Sequence, residues 1–379
     1  LKKKFTTPPA GIFWQLHQLL FAYTLLAFAV CYFVPTDHWI AGFMMLSVPV
    51  LMLLHLLFFC WFLFFNRSRA WLSGVALLLS FPFWARTSPI LRTFFQNSAN
   101  QANFESKPGN TFTLMSYNVL SFDVLGHLDN IEPQNALHLI EWAKTADADV
   151  KCLEEFYNHH TRPKFDIIPQ FQKAGYRHYT LLHPAIATNE ENFIGLAIFS
   201  KYPIVGRGEQ EFENQNGMLW ADLKIKNDTI RIINVHLRSY VLRLENLKHA
   251  YQKRDYKDSK EQVRGVFSRL KYGFEHHATE LKAIEACIDS SPYPVIVCGD
   301  FNETPYSYVY GRLRQRLNNA FEDAGSGLGF SYRNMPNFIR IDNHFYDPKG
   351  FKAQWFETRR DVRHSDHFPI IAKYQILNN

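Results

Sequence analysis

Two uncharged apolar runs open the chain and restrict its folding more than anything that follows. Residues 11–34 are broken in polarity only by Gln15, His17, Gln18 and Thr24, and residues 39–65 carry no formal charge. Pro35-Thr36-Asp37-His38 separates the runs, and Asn66-Arg67-Ser68-Arg69 ends the second. Both exceed the roughly 20 residues, at about 1.5 Å each, that cross a bilayer. The first also outruns the apolar region of a signal peptide. We therefore expect an anchor over 1–95. A third stretch, 70–84, is shorter and holds Pro82, so two or three spans are expected. Trp14, Trp39, Trp61, Trp71 and Trp84 fall near the expected ends, as interfacial aromatic residues do.

Lys2, Lys3, Lys4, Arg67 and Arg69 mark the cytoplasmic side, because the loop holding Asp37 has no Lys or Arg. Three spans place the remainder on the outer, periplasmic face of an inner membrane as a multi-pass protein; two spans reverse that. His55, a single polar residue within the second run, is expected to pack against a neighbouring helix. The runs lack the charge arrays and paired broken helices of a transporter. The first residue is Leu1 and not Met, which an alternative start codon or a trimmed end would explain.

Residues 96–110 are rich in Ser, Asn, Gln, Pro and Gly and read as a linker. From 111 to 379 the texture becomes short apolar strands alternating with amphipathic helices, a mixed α/β layered domain. Strands are expected near 111–119, 149–156, 195–199, 219–225, 230–237 and 295–300, with helices near 135–146 and 274–289. A stretch from Arg238 to Lys271 mixes basic and acidic residues; it is a solvated helical excursion or a basic rim for phosphate groups. The net charge of +6 decides little, and the five Cys show no metal-type spacing.

The chemistry gathers at the strand ends. Val295-Ile296-Val297-Cys298 is an apolar run that stops at Gly299-Asp300-Phe301-Asn302. If the extended backbone continues, Asp300 and Asn302 point the same way. Thr304 then reads as an N-cap with Pro305 at the first helical position. Asn118 ends one strand, Glu154-Glu155 another, and Asn234 with His236 a third. Adjacent strand residues face opposite ways, so one of Glu154 and Glu155 is expected at the site. Arg340-Ile341-Asp342 and Ser365-Asp366-His367 complete the set.

In order, Ser116-Tyr117-Asn118-Val119, Leu153-Glu154-Glu155, Asn234-Val235-His236-Leu237, Gly299-Asp300-Phe301-Asn302, Arg340-Ile341-Asp342 and Ser365-Asp366-His367 resemble the motifs of the endonuclease/exonuclease/phosphatase superfamily. The three-span leader resembles its membrane-anchored bacterial members. The resemblance implies an α/β (α+β) four-layer β-sandwich flanked by helices, behind an N-terminal transmembrane region. It implies a phosphoester hydrolase using Mg²⁺ or Mn²⁺. Glu155 would be the principal metal ligand with Asn118 near it and Asp366 as an extra ligand. Asp300 would prepare the attacking water, Asn302 and Asn234 would contact the phosphate, and His236 would contact the phosphate or protonate the leaving group. His367, polarised by Asp342, would face the scissile group, and either Asp300 or His367 would be the base.

Nucleic acid and phospholipid headgroups both stay open as substrates; the bilayer is the other expected partner, and no protein partner is inferred. The alternative is a non-catalytic membrane-anchored binding protein with the same fold. Two positions depart from the superfamily pattern: Glu154 stands where Gln is usual, and Asn343-His344 follows Asp342 where an aromatic and apolar residues are usual.

Overall fold

The computed structural model describes residues 10–89, 110–124, 134–182, 192–213, 216–240, 251–252 and 256–377. Lys2, Lys3 and Lys4, all of the linker but Asn110, and Arg243, Lys248, Lys253 and Arg254 lie outside the described residues.

Helix α1 (Ala10–Phe33) and helix α2 (Trp39–Phe65) form an antiparallel pair. Both are long and apolar enough to cross a membrane. The third stretch is not one helix. It divides into α3 (Ala70–Leu79) and α4 (Phe81–Thr87), with Ser80 between them and Pro82 in the first turn of α4. Pro has no N–H for a bond to the preceding turn, which accounts for the break. The two pieces nevertheless return along the whole pair. Ser73 bonds His17 at 2.9 Å near one end, Phe83 packs on Phe28 at 5.3 Å, and Arg86 meets Cys31 Sγ at 3.5 Å near the other. His55 is satisfied inside this bundle by Thr24 at 3.0 Å and Ser73 at 3.3 Å.

The remaining elements are β1 (Thr111–Asn118), α5 (Gln134–Thr145), β2 (Val150–His159), α6 (Ile167–Lys173), β3 (His178–Leu182), β4 (Asn192–Ser200), β5 (Ile204–Glu211), β6 (Gly217–Ile225), β7 (Asp228–His236), α7 (Tyr256–Asp289), β8 (Val295–Asp300), α8 (Tyr308–Arg314), β9 (Asn318–Asn319), α9 (Ala320–Ala324), β10 (Asp342–Tyr346), β11 (Phe351–Thr358) and β12 (Ile370–Ile376). They build two six-stranded mixed sheets, ordered β11-β12-β1-β2-β4-β3 and β5-β6-β7-β8-β10-β9. β1–β2 and β7–β8 are the parallel pairs.

β8 shows why its run is apolar throughout. Ile296 and Cys298 face the core between the sheets, while Val295 and Val297 face the core under α7 and α8. α5 and α6 cover the first sheet in the same way. The result is helix, sheet, sheet, helix, the expected four layers.

Two local expectations change. α7 begins 18 residues before position 274, at Tyr256, because the mixed-charge stretch continues the same helix. The helix expected at Pro305 starts instead at Tyr308, capped by Ser307, whose Oγ accepts from Tyr310 N. Residues 303–306 stay non-helical and dock on α4. Pro305 O accepts from Arg86 at 3.2 Å, and the Tyr306 hydroxyl lies 2.7 Å from Thr87 Oγ1 and 3.0 Å from Phe83 O.

Candidate active site

The strand ends of both sheets meet at one end of the sandwich. On the second sheet, Asp300 is directly opposite His236 on β7 and Asp342 on β10. Three strands thus present one row of acid and imidazole groups. Gly299 makes the row possible: its φ is +133°, and a Cβ there would stand 2.0 Å from Val235 O.

β2 contributes from the first sheet through a bulge. Its pairing with β4 shifts between Leu153 and Phe156, and Glu155 has φ +51°. Leu153 and Phe156 therefore both pack on the outer, helix-covered side, and the two carboxylates between them turn inward. The strict alternation expected for this strand fails for that reason. Glu155 reaches the cleft, where Asn118 Nδ2 donates to it at 3.0 Å and His236 Nε2 lies 3.9 Å away. Glu154 lies fully buried beneath, accepting from Ser116 Oγ at 3.3 Å. Burial, then the neighbouring Cys298, Asp342 and Asp300, pushes its carboxyl well above the usual range.

Asp300 is 1% exposed. It accepts from Asn118 Nδ2 at 3.1 Å and from Asn302 N at 2.9 Å, with His367 Nε2 at 3.5 Å and His236 Nε2 at 3.7 Å. Asn302 is not extended; it turns with φ +49° and donates from Nδ2 to Leu237 O at 2.9 Å. A turn closed on the Asp300 side chain therefore brings the pair together, not strand alternation. His367 Nδ1 lies 3.0 and 3.2 Å from the Asp342 oxygens. Burial alone would lower His367, but the charges of Asp342 and Asp300 and the Asp342 hydrogen bond raise it well above its ordinary value. His236 moves the other way, lowered by burial despite Asp300.

These groups open into a cleft of about 630 Å³, with Glu155, His236, Asp300, Asn302, Asp366 and His367 in its lining. Asn118, at 1% exposure, supports them from behind. Asn234 does not line the cleft. It is fully buried, and its amide donates to Leu153 O at 3.3 Å and Ala197 O at 3.4 Å, tying β7 to the other sheet. Arg340 turns towards α4, donating to Arg86 O at 2.6 Å and to Asn343 Oδ1.

A profile of the endonuclease/exonuclease/phosphatase family matches residues 115–367, well over half of the chain. The chain belongs to the endonuclease/exonuclease/phosphatase family. Members of this family are phosphoester hydrolases. A second profile, a domain of unknown function, matches residues 10–87. No curated protein matches. Similar solved structures include an endonuclease/exonuclease/phosphatase from Beutenbergia cavernae, 15% identical with a TM-score of 0.49 over 70% of this chain and 72% of that one. The human Nocturnin catalytic domain with bound sulfate is 18% identical, with a TM-score of 0.47 over 71% and 94%. A family protein from Bacteroides thetaiotaomicron is 16% identical, with a TM-score of 0.46 over 70% and 94%.

In this family member the departure at Asn343-His344 leaves β10 fully buried. Asn343 Oδ1 accepts from Asn319 at 3.3 Å as well as from Arg340, and His344 Nδ1 lies 3.2 Å from the Tyr374 hydroxyl.

Sequence reasoning missed the cleft's supports. Glu303 accepts from Tyr240 at 2.6 Å and meets His277 Nδ1 at 2.7 Å, while His277 Nε2 donates to Arg238 O at 2.6 Å. Burial opposes charge on His277, but Glu303 outweighs it and raises the imidazole. Ser331 and Tyr332 clamp the other wall: Ser331 O accepts from Phe368 N at 2.7 Å, and the Tyr332 ring lies edge-on to His367. No spacing signal reveals these residues, which come from loops and the middle of α7.

The donor set suits a hard divalent ion. Glu155 and Asp366 bring two carboxylates into one cleft, and Glu155 is raised by burial and by Asp366, a conflict that a cation relieves. Asp300, Asp342 and His367 also lie close enough together to hold an ion. His367 already engages both carboxylates, however, so this trio reads as a proton-handling unit.

Proposed function

We propose that the chain is a membrane-anchored, divalent-metal-dependent phosphoester hydrolase that uses in-line attack of water. The carrying observation is the row of His236, Asp300 and Asp342 facing Glu155 across one cleft, with His367 spanning Asp342 and Asp300. Glu155, with Asn118 beside it and Asp366 nearby, would hold Mg²⁺ or Mn²⁺. The ion, when bound, supplies positive charge to the phosphoryl oxygens.

The chain's own groups divide the remaining work. His367 lies between Asp342 and Asp300, both of which favour its charged form, so Asp300 takes the proton from the attacking water. Burial raises Asp300 despite its two imidazole neighbours, which moves it towards the range of a useful base. His367 then stabilises charge on the phosphoryl group. Asn302 and His236 contact the substrate phosphate from the second sheet.

Anchoring is supported by the two long apolar helices and by the return path of α3 and α4. Trp14 and Arg69 stack at one end, with Trp61 and Trp71 exposed near it, while Trp39 and Trp84 lie towards the other. The catalytic part joins the end opposite Arg67 and Arg69, which favours the outer face. Docking of residues 303–306 on α4 sets the cleft beside the anchor and favours a phosphoester carried at the membrane surface.

The test uses the full chain in detergent with bis(p-nitrophenyl) phosphate. Hydrolysis should need Mg²⁺ or Mn²⁺, stop with EDTA, and be lost in Glu155→Ala and His367→Ala. Equal rates for all three proteins would discard the catalytic reading in favour of a binding protein. A reporter fused after Asn379 should be active only outside the cytoplasm.

A further inference from the structure

Among the described residues beyond the anchor, exposed large apolar side chains are concentrated in two places. Tyr251, Tyr256, Val263, Phe267 and Tyr272 lie on or just before the N-terminal half of α7, and Leu328, Met335 and Phe338 lie on the 326–338 loop. Only Val205 and Trp355 fall elsewhere. Both places touch the same end of the anchor. Phe267 and Phe274 pack on Phe43 of α2 at 5.2 and 5.3 Å, and Lys271 lies over the Trp39 ring. A Cβ on Gly42 would stand 2.7 Å from Phe274, so α7 crosses α2 at its closest approach there. On the other side, Ser88, just past α4, donates to Gly327 O at 2.8 Å.

At about 100° per residue, Tyr256, Val263, Phe267 and Phe274 form one stripe along α7. Phe267 and Phe274 already meet the anchor, so Tyr256 and Val263 prolong that contact line past the protein. Lys260, Arg264 and Lys271 flank the stripe, whereas Asp258 and Glu261 project from other faces. Going from Lys282, near Asp37, to Phe267, on Phe43, α7 advances from the α1–α2 turn to the first turns of α2. Its N-terminal half therefore slopes towards the level of the apolar helices.

We propose that the N-terminal half of α7 and the 326–338 loop form a lipid-seating rim that rests in the headgroup layer of an anionic leaflet. This rests on the anchoring reading above. The apolar stripe enters the interface, and Lys260 and Arg264 extend their charged ends to lipid phosphates. The same helix carries His277 and packs Phe274 against Tyr240, so the rim also fixes one wall of the cleft. Met335 lines the opposite wall. The cleft then opens at headgroup level.

The test places nitroxide labels on the full chain in nanodiscs containing anionic lipid. Labels at Val263→Cys and Leu328→Cys, in a Cys60→Ser background, should collide several-fold more with oxygen than with a water-soluble nickel complex. A label at Glu261→Cys should show the reverse. Lys260→Glu with Arg264→Glu should raise nickel access at position 263 several-fold. A label on native Cys60, exposed on α2, reports the anchor separately. If Cys60 is shielded while positions 263 and 328 are as water-accessible as 261, the rim is wrong and the anchor stands. A water-accessible Cys60 removes both. Spin–spin broadening at 263 between copies, or shielding only after nucleic acid is added, assigns the face to those occupants and overturns the lipid rim.

Discussion

Arg86, in the last turn of α4, donates to the carbonyl of Pro305, five residues beyond Asp300. Its own carbonyl accepts from Arg340, two residues before Asp342. Helix α4 therefore grips the chain just outside Asp300 and Asp342. Arg86→Ala leaves buried Pro305 O without this donor, and stability should fall by about 1–3 kcal/mol. Thermal unfolding of the full chain in detergent checks this. An unchanged midpoint would mean that the seam carries no weight.

Asp342→Asn keeps the shape of the His367 contact but removes the charge that raises the imidazole. Turnover should drop by about 10²–10⁴-fold. The limb of the pH–rate profile set by His367 should move to lower pH, because the cationic form loses its partner. Rates and profile in the wild-type range would exclude the proposed role of the pair.

Glu155→Gln retains the Asn118 neighbour but removes the carboxylate charge. Half-maximal activation should need more Mg²⁺ by at least the roughly 10–100-fold that loss of even an outer-shell partner costs. Titration of activity against the metal measures it, and an unaltered curve would move the ion elsewhere.

Gly299→Ala forces a Cβ against Val235 O at a φ that L-residues rarely adopt. Strain of about 1–3 kcal/mol is expected, with displacement of Asp300. Both a lower unfolding midpoint and reduced activity should follow; a folded, fully active variant would contradict the close approach.

His344 is lowered by burial to about 3 from its ordinary 6.5. Below 6.5 the unfolded chain takes up a proton that the folded chain refuses until about 3. Stability therefore falls with acidification across that window, by about 1.4 kcal/mol per pH unit. In His344→Phe the midpoint of urea unfolding should decline less between pH 7 and pH 5 than in the wild type. Equal declines would show that the ring is not buried neutral.

The apolar run of β8 and the polar residues after it were readable because a strand covered on both faces excludes polar groups until it ends. The same logic located His236 at the end of β7, whereas Glu155 sits within β2 and Asp342 begins β10, so those two were marked only by their short motifs. Other features were not local. Glu154 and Glu155 turn inward together because a bulge replaces alternation, and Asn302 reaches the site through a turn bonded to Asp300. Pro305 lies outside a helix because Arg86, Thr87 and Phe83 hold its segment against α4. Asn234, at the same strand end as His236, points into the seam between the sheets.

By itself, the sequence determined the long apolar N-terminal helices, the alternation of strands and helices and most of the polar residues of the site, while the two-sheet sandwich entered through the family motifs. These depend on periodicity and on short motifs, which neighbouring residues encode. Only the tertiary structure decided that α3 and α4 return along α1, that Glu303 and His277 brace the cleft wall, and that residues 305–306 dock on α4. Those outcomes depend on contacts between segments far apart in the chain, such as Arg86 with Pro305, whose energies no local pattern records.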